Sequence, residues 1–242
     1  MTFGVSGGSM LSAYHALHGE DIFDNFERDF LKQNLQDNLK RKVFAVANWS
    51  RLTSPQFGRG DLLEEQLNQT LFRHATFDDL ARKRKGPFTV IASTDMTAGT
   101  RLDFTQEVFD ALCLDLSKLP IARAVAASSA VPLVFAPLTL NNNGGHCGYA
   151  IPEDMERAVF HSDPNALQTA TRRELLDSVL SYGDRSKRPY IHLLDGGLVD
   201  NLPVGEVRTR CQPDVIIAVD VSSPLLPSAE VGSLLTVSAQ MI

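Results

Sequence analysis

The chain has 242 residues, of which 43% are hydrophobic and 21% are charged, a composition typical of a globular protein. Its net charge of −6 and the scatter of its lysines and arginines argue against nucleic acid as the main partner. No stretch reaches the roughly 18 apolar residues of a membrane span, and the first residues lack the basic and apolar regions of a signal peptide. We expect one domain over residues 1–242.

The predicted elements begin with a glycine-rich turn, GVSGG at 4–8, and a helix follows it directly. In GSMLSAYHALHG, at 8–19, apolar residues recur at helical spacing, and Gly19 is a typical helix C-cap. Amphipathic stretches between 22 and 72 then predict two or more helices, joined by a loop at 54–60. The first third of the chain is therefore predicted to be helical after its opening turn.

The remainder of the chain alternates between strand and helix signals. Three apolar, β-rich runs predict strands that are covered on both faces. They are PFTVIAST at 87–94, PYIHLLDGG at 189–197 and DVIIAVDVS at 214–222. Helical patterns lie between them, at 104–116, 121–130 and 166–182. This order predicts an α/β fold.

The cysteines and histidines give no sign of a metal or cofactor. Cys113, Cys147 and Cys211 are odd in number and far apart, without the paired spacing of a zinc or redox site. A chain of this length buries roughly 70% of its unfolded surface, so its core does not require disulfide bonds. His15 and His18 lie on one helix but lack a third ligand at a suitable spacing. We predict neither metal nor cofactor.

The opening turn carries the pattern Gly-x-Ser-x-Gly, which raises a serine for nucleophilic attack between a strand and a helix. Gly4 and Gly8 would let the backbone pass closely around Ser6. The amide of Gly7, at the start of the next helix, would point to where an oxyanion forms. Ser9 lacks the flanking pattern. A glycine-rich turn without chemistry is the alternative interpretation, because glycine and serine are common.

A second candidate group lies at the end of the run YIHLLDGG. There an apolar strand ends at Asp195, and the chain turns at once through Gly196 and Gly197. This delivers a carboxylate to the carboxyl edge of the sheet, which Ser6 also reaches if its strand is a parallel neighbour. An aspartate beside a serine can accept its proton without a histidine between them. The alternative is an aspartate that only caps its own turn.

Three segments together resemble the patatin-like phospholipase family, in its bacterial form. They are GVSGGS at 4–9, IARAVAASSAVPLVFAPL at 121–138 and DGGLVDNLPV at 195–204, and they occur in the family's order. The resemblance implies a doubly wound α/β fold with a mostly parallel central sheet and helices on both faces. It also implies a lipid acyl hydrolase with a Ser-Asp dyad, acting on a lipid or phospholipid substrate and contacting a membrane surface.

Carried onto this sequence, the family's nucleophile matches Ser6 and its base matches Asp195. The segment ASSAVP at 127–132 matches a family segment that we expect to pack closely and to line the site. The resemblance covers most of the chain.

The sequence departs from the family pattern at both ends. Family members carry an upstream strand and a glycine-rich loop with a basic residue that completes the oxyanion hole, whereas only Met1-Thr2-Phe3 precede Gly4. The stretches at 58–60 and 141–148 follow the wrong elements to replace that loop. The chain also ends within a predicted helix that has no cap. We expect a truncated domain that lacks the first strand and whose missing upstream residues could carry an export signal.

Two functions remain open at this point. The first is a serine acyl hydrolase with Ser6 as nucleophile and Asp195 as base. The second is a catalytically silent member of the same fold that binds or regulates lipid, inactive because the oxyanion loop is missing. The sequence leaves the lipid head group, the oligomeric state and the cellular location undetermined.

Overall fold

The computed structural model describes residues 1–45, 48, 51, 57–132, 134–151, 153 and 167–220. Over these residues the fold is α/β, with helices packed around a mixed β-sheet. The strands are β1 (Thr2–Val5), β2 (Thr89–Asp95), β3 (Thr100–Asp103), β4 (Leu138–Asn141) and β5 (Tyr190–Leu194).

Helices account for most of the remaining ordered elements, and several begin or end where capping residues predict. They are α1 (Gly7–His18), α2 (Ile22–Phe26), α3 (Leu35–Phe44), α4 (Arg59–Thr70), α5 (Phe77–Lys83), α6 (Gln106–Ala111), α7 (Ile121–Ser128), α8 (Leu167–Tyr182) and α9 (Val204–Cys211). For example, the Thr76 side chain accepts from the Asp79 amide at the start of α5, while Asp79 accepts from the Thr76 amide. Among the described residues, no helix is both long and apolar enough to cross a membrane.

Strand β2 is the centre of the sheet, because all seven of its residues are buried. It pairs with β1 in parallel, from Thr2 opposite Thr89 to Val5 opposite Ala92. It pairs with β3 and β5 in the antiparallel sense, and β4 adds to β5 in the same sense. Strand β2 therefore supports the strands that precede both candidate site residues.

Strands β1 and β5 lie end to end along the same edge of β2. The Ile91 carbonyl accepts from the Phe104 amide on the β3 side. The Phe88 carbonyl instead accepts from β1, and the Met96 amide donates to β5. In a strand, the backbone groups of residues that are an even number of positions apart point to the same edge, so β1 and β5 share one edge of β2. Because β1 is parallel and β5 antiparallel to β2, their carboxyl ends run toward each other and meet beside Ser93.

The prediction of a mostly parallel sheet is wrong for the described residues. Only the β1–β2 pairing is parallel there. Strands β2 and β3 form an antiparallel hairpin, β5 runs antiparallel to β2, and β4 runs antiparallel to β5. The predicted strand at 214–222 is also absent over 214–220, where the chain has no strand pairing to the described residues, and 221–222 lie outside the described residues. The side chains of Val215, Ile217 and Val219 there are at least 74% exposed.

Helix α7 brings the segment ASSA to the sheet. Seven of its eight residues are buried, and most are alanine, so the helix approaches β2 and α4 closely. Its one charged residue, Arg123, bonds to Asp61 and Glu64 of α4 and to the Thr139 carbonyl of β4. These contacts hold the start of α7, while its last residue, Ser128, lies at the other end beside the Ser6 turn.

A disulfide bond joins Cys113 and Cys147, whose Cα atoms are 5.6 Å apart. It connects the residues after α6 to the loop that follows β4. The sequence had suggested no such pairing, because the two cysteines are 34 residues apart. Cys211 is free and exposed.

Candidate functional site

Ser6 is the single residue between β1 and α1, and it has a strained backbone. Its φ is 51° and its ψ is −131°, a conformation that costs a non-glycine residue roughly 1–3 kcal/mol. Gly4 is needed for the packing of this turn, because an added Cβ would lie 2.7 Å from the Ser9 Cα. A Cβ at Gly7 or Gly8 would meet nothing within 4 Å. The space in front of the turn is therefore open.

Asp195 lies directly after β5 and faces the Ser6 turn. The Ser6 hydroxyl donates to Oδ2 of Asp195 at 2.6 Å, so the expected hydrogen bond is present. The amide of Gly197 donates to Oδ1 at 2.8 Å, which orients the carboxylate. Gly196 passes so close to β2 that an added Cβ would lie 2.5 Å from the Ala92 carbonyl oxygen. The Asp-Gly-Gly turn thus needs glycine for close approach, and neither of its glycines has a positive φ.

The two residues meet in a different way from the parallel neighbours that the sequence suggested. Ser6 and Asp195 follow strands that run toward each other along β2. Their side chains therefore meet between the two strand ends, where they form a hydrogen bond. Strand β2 pairs with both of these strands and so brings together two residues that are far apart in the chain.

Asp195 is only 6% exposed. Burial raises its pKa above the ordinary aspartate range, because the charged form loses hydration. The hydrogen bonds from Ser6 and Gly197 act in the opposite direction and retain part of the charged form's stability. A carboxylate of raised pKa is a stronger proton acceptor than an exposed one, which suits a general base.

The end of α7 and the two residues that follow it hold Ser6 and Asp195 in place. The Ser6 amide donates to Oγ of Ser128 at 3.0 Å, and the Ser129 hydroxyl donates to the Ser6 carbonyl at 3.1 Å. The amide of Asp195 donates to the Ala130 carbonyl at 3.0 Å. Three consecutive residues therefore bond to the backbone of both candidate residues. The sequence predicted close packing and a site-lining position here but not these hydrogen bonds, although two hydroxyls in a buried alanine helix do signal polar partners.

Ser9 supports Ser6 rather than competing with it. Its side chain is fully buried, and its hydroxyl donates to the Ser6 carbonyl at 2.6 Å. Such a hydroxyl is not available to a substrate.

Two further contacts anchor the Asp195 turn to the sheet. The Thr94 hydroxyl of β2 donates to the Asp195 carbonyl at 2.8 Å. Asp200, whose amide donates to the Gly196 carbonyl, forms an ion pair with Arg101 of β3 at 3.0 Å. Sequence reasoning missed both contacts, because they depend on which strands are neighbours.

The start of α1 supplies hydrogen-bond donors beside Ser6. Gly7 and Gly8 form its first turn, where amides have no acceptor within the helix, and both residues are exposed. The positive end of a helix favours a developing negative charge. An ester carbonyl attacked by the Ser6 hydroxyl could therefore place its oxygen near the Gly7 amide.

His18 and His192 lie outside this arrangement. The His18 ring packs on Tyr14, with ring centroids 4.2 Å apart, and Nδ1 of His192 bonds to Thr139. In the part of the chain that the structure describes, no three side chains of the metal-binding types form a cluster.

The chain matches the family model described as patatin-like phospholipase over residues 1–208. No curated protein matches the sequence.

Proposed function

The chain belongs to the patatin-like phospholipase family, and from this we propose that it is a serine acyl hydrolase with a Ser6–Asp195 dyad. The family implies lipid acyl hydrolase activity in general. The substrates would be phospholipids or other acyl lipids. The hydrogen bond of 2.6 Å between the Ser6 hydroxyl and Oδ2 of Asp195 is the observation that carries the proposal.

In the proposed mechanism, Asp195 accepts the Ser6 proton while Oγ attacks the ester carbonyl carbon. The tetrahedral intermediate places its negative oxygen at the Gly7 amide, and its collapse breaks the bond to the alcohol, which leaves with the proton from Asp195. Asp195 then accepts a proton from water, which attacks the acyl group on Ser6. The fatty acid departs, and the proton returns to the Ser6 oxygen.

We also propose that a further strand pairs with the edge of β1 that faces away from β2 and brings the sheet closer to the doubly wound arrangement that the sequence predicted. Support comes from Val215, Ile217 and Val219, whose apolar side chains are exposed although strands of this composition are normally covered on both faces. Support also comes from β1, which pairs with β2 alone among the described strands. A glycine-rich loop adjoining this further strand would supply a second oxyanion donor beside the Gly7 amide.

The alternative function is a silent lipid-binding member of the fold. The small number of oxyanion donors favours this function, because among the described residues we identify one source of them, the first turn of α1. Loss of a single donor costs roughly 10²–10³ in rate in other serine hydrolases, so one source could leave little activity.

A fluorophosphonate probe distinguishes the two functions. We expect the folded parent to be labelled, Ser6→Ala to remain unlabelled, and Asp195→Asn to be labelled far more slowly with unchanged folding. Asp24→Asn, an exposed carboxylate on α2, is the matched control and should behave as the parent. Failure of the folded parent to react would contradict the hydrolase and support the silent protein.

A further inference from the structure

The surroundings of the Ser6–Asp195 pair are unusually apolar where they face solvent. Directly after the Asp-Gly-Gly turn, Leu198, Val199 and Leu202 are 44%, 42% and 38% exposed. The amide of Leu198 still donates to the Asp195 carbonyl, so this apolar group begins at the site itself. Single exposed apolar residues are common on proteins, but a cluster beside a reactive site marks a binding surface.

The orientation of this segment is fixed by its one charged side chain. Asp200 turns toward the sheet and pairs with Arg101, whose side chain is 13% exposed. Its neighbour Val199 then faces outward. The Asp200 side chain is 33% exposed and paired, whereas a surface turn ordinarily points its apolar residues inward. The fold therefore holds apolar side chains in solvent beside Asp195.

Two other segments extend the apolar surface around the pair. On α1, Leu11 is 49% exposed and lies one turn from Gly7 on the same helix face. After the Ser128–Ala130 segment, Val131, Pro132 and Phe135 are half-buried. These segments reach the site through Ser6 and through the Ala130 carbonyl that binds Asp195.

We propose that Leu198, Val199 and Leu202 form a rim that inserts into the acyl layer of an uncharged or zwitterionic lipid surface. The proposal rests on the proposed function, because the rim surrounds the pair that would cleave the lipid ester. Between Asp195 and Gly205 the chain has no lysine or arginine, and both carboxylates have partners. The neighbouring positive charge of Arg101 is paired with Asp200, and the segment itself carries none to attract anionic head groups, so contact with lipid depends on apolar burial.

The test measures flotation of the protein with phosphatidylcholine vesicles, in the Ser6→Ala background so that no lipid is consumed. We expect flotation of this parent at low salt and in about 0.5 M salt, because burial of apolar surface is not screened. The double variant Leu198→Ser/Val199→Ser should partition about tenfold less or weaker still. Leu180→Ser, at a leucine on α8 that is 54% exposed, is the control and should float as the parent does.

Several results would overturn the rim. They are absence of flotation for the parent, equal flotation of the double variant, and binding that requires anionic lipid and disappears in salt. A change of oligomeric state in the double variant without loss of flotation would assign the surface to a second copy instead. None of these depends on catalysis, because fluorophosphonate labelling of the wild-type chain tests the proposed function separately.

Discussion

At the scale of single residues, the site combines a strained serine with a desolvated carboxyl group. Ser6 keeps a positive φ, and four hydrogen bonds that involve side chains hold it, with Ser128, Ser129, Ser9 and Asp195 as partners. Asp195 is buried, which raises its pKa. Both features reduce the folding stability of the protein, and both place a reactive group where a substrate can reach it.

The raised pKa of Asp195 predicts the pH dependence of ester hydrolysis. Only the ionised carboxylate can accept the Ser6 proton, so the rate should rise with pH through a folded-state pKa above the ordinary aspartate range. Folding stability should respond in the opposite sense: burial favours the protonated form, and this contribution is lost as pH rises through the same range. A pH profile of hydrolysis and of thermal unfolding tests this, with Asp195→Asn removing the stability component. An acid limb below the ordinary aspartate range would contradict it.

Ser128 provides a second prediction at the residue scale. Ser128→Ala leaves the Ser6 amide without its acceptor, which should cost about 1–3 kcal/mol of unfolding free energy. Because the strained Ser6 turn is held less firmly, labelling by a fluorophosphonate should slow by about tenfold. Ser186→Ala, at an exposed serine far along the chain, serves as control. An unchanged labelling rate in a destabilised variant would reduce Ser128 to a packing role.

At the scale of elements, the site depends on strands and helices that approach one another closely. A Cβ at Gly4 would lie 2.7 Å from the backbone of α1, whereas one at Gly205 in α9 would meet nothing within 4 Å. Gly4→Ala should therefore push β1 away from α1 and cost about 1–3 kcal/mol. Gly205→Ala should be neutral or slightly stabilising, because alanine favours helix. Chemical unfolding of both variants tests this, and equal stabilities would show that β1 can shift without cost.

The disulfide is a second link between elements. In the chain-entropy account, closing a loop with a sequence separation of 34 contributes about 3 to 4 kcal/mol. We expect Cys113→Ser to lower the unfolding free energy by about that amount under oxidising conditions. Cys211→Ser, at the free cysteine, should leave it unchanged. Equal stability of the parent and Cys113→Ser would mean that the bond does not form in solution.

At the scale of the whole molecule, local patterns predicted more than long-range ones. The apolar runs at 87–94 and 189–197 correspond to β2 and β5, and the turns with Ser6 and Asp195 follow from short motifs. An apolar run carries no information on strand direction, so the end-to-end meeting of β1 and β5 was not predictable. The bonds from Ser128 and Ser129, and the pairing of Cys113 with Cys147, likewise depend on neighbours that only the tertiary fold creates.

The proposed hydrolase forms a covalent acyl-enzyme intermediate on Ser6, and every step after the attack requires it. The most direct measurement is to mix the protein with p-nitrophenyl butyrate, quench with acid before turnover is complete, and map the acylated peptide by mass spectrometry. The account predicts a butyryl group on Ser6, accumulation of the adduct together with released nitrophenol, and no adduct in Ser6→Ala. Hydrolysis with the adduct on another residue, or hydrolysis that persists undiminished in Ser6→Ala, would contradict it.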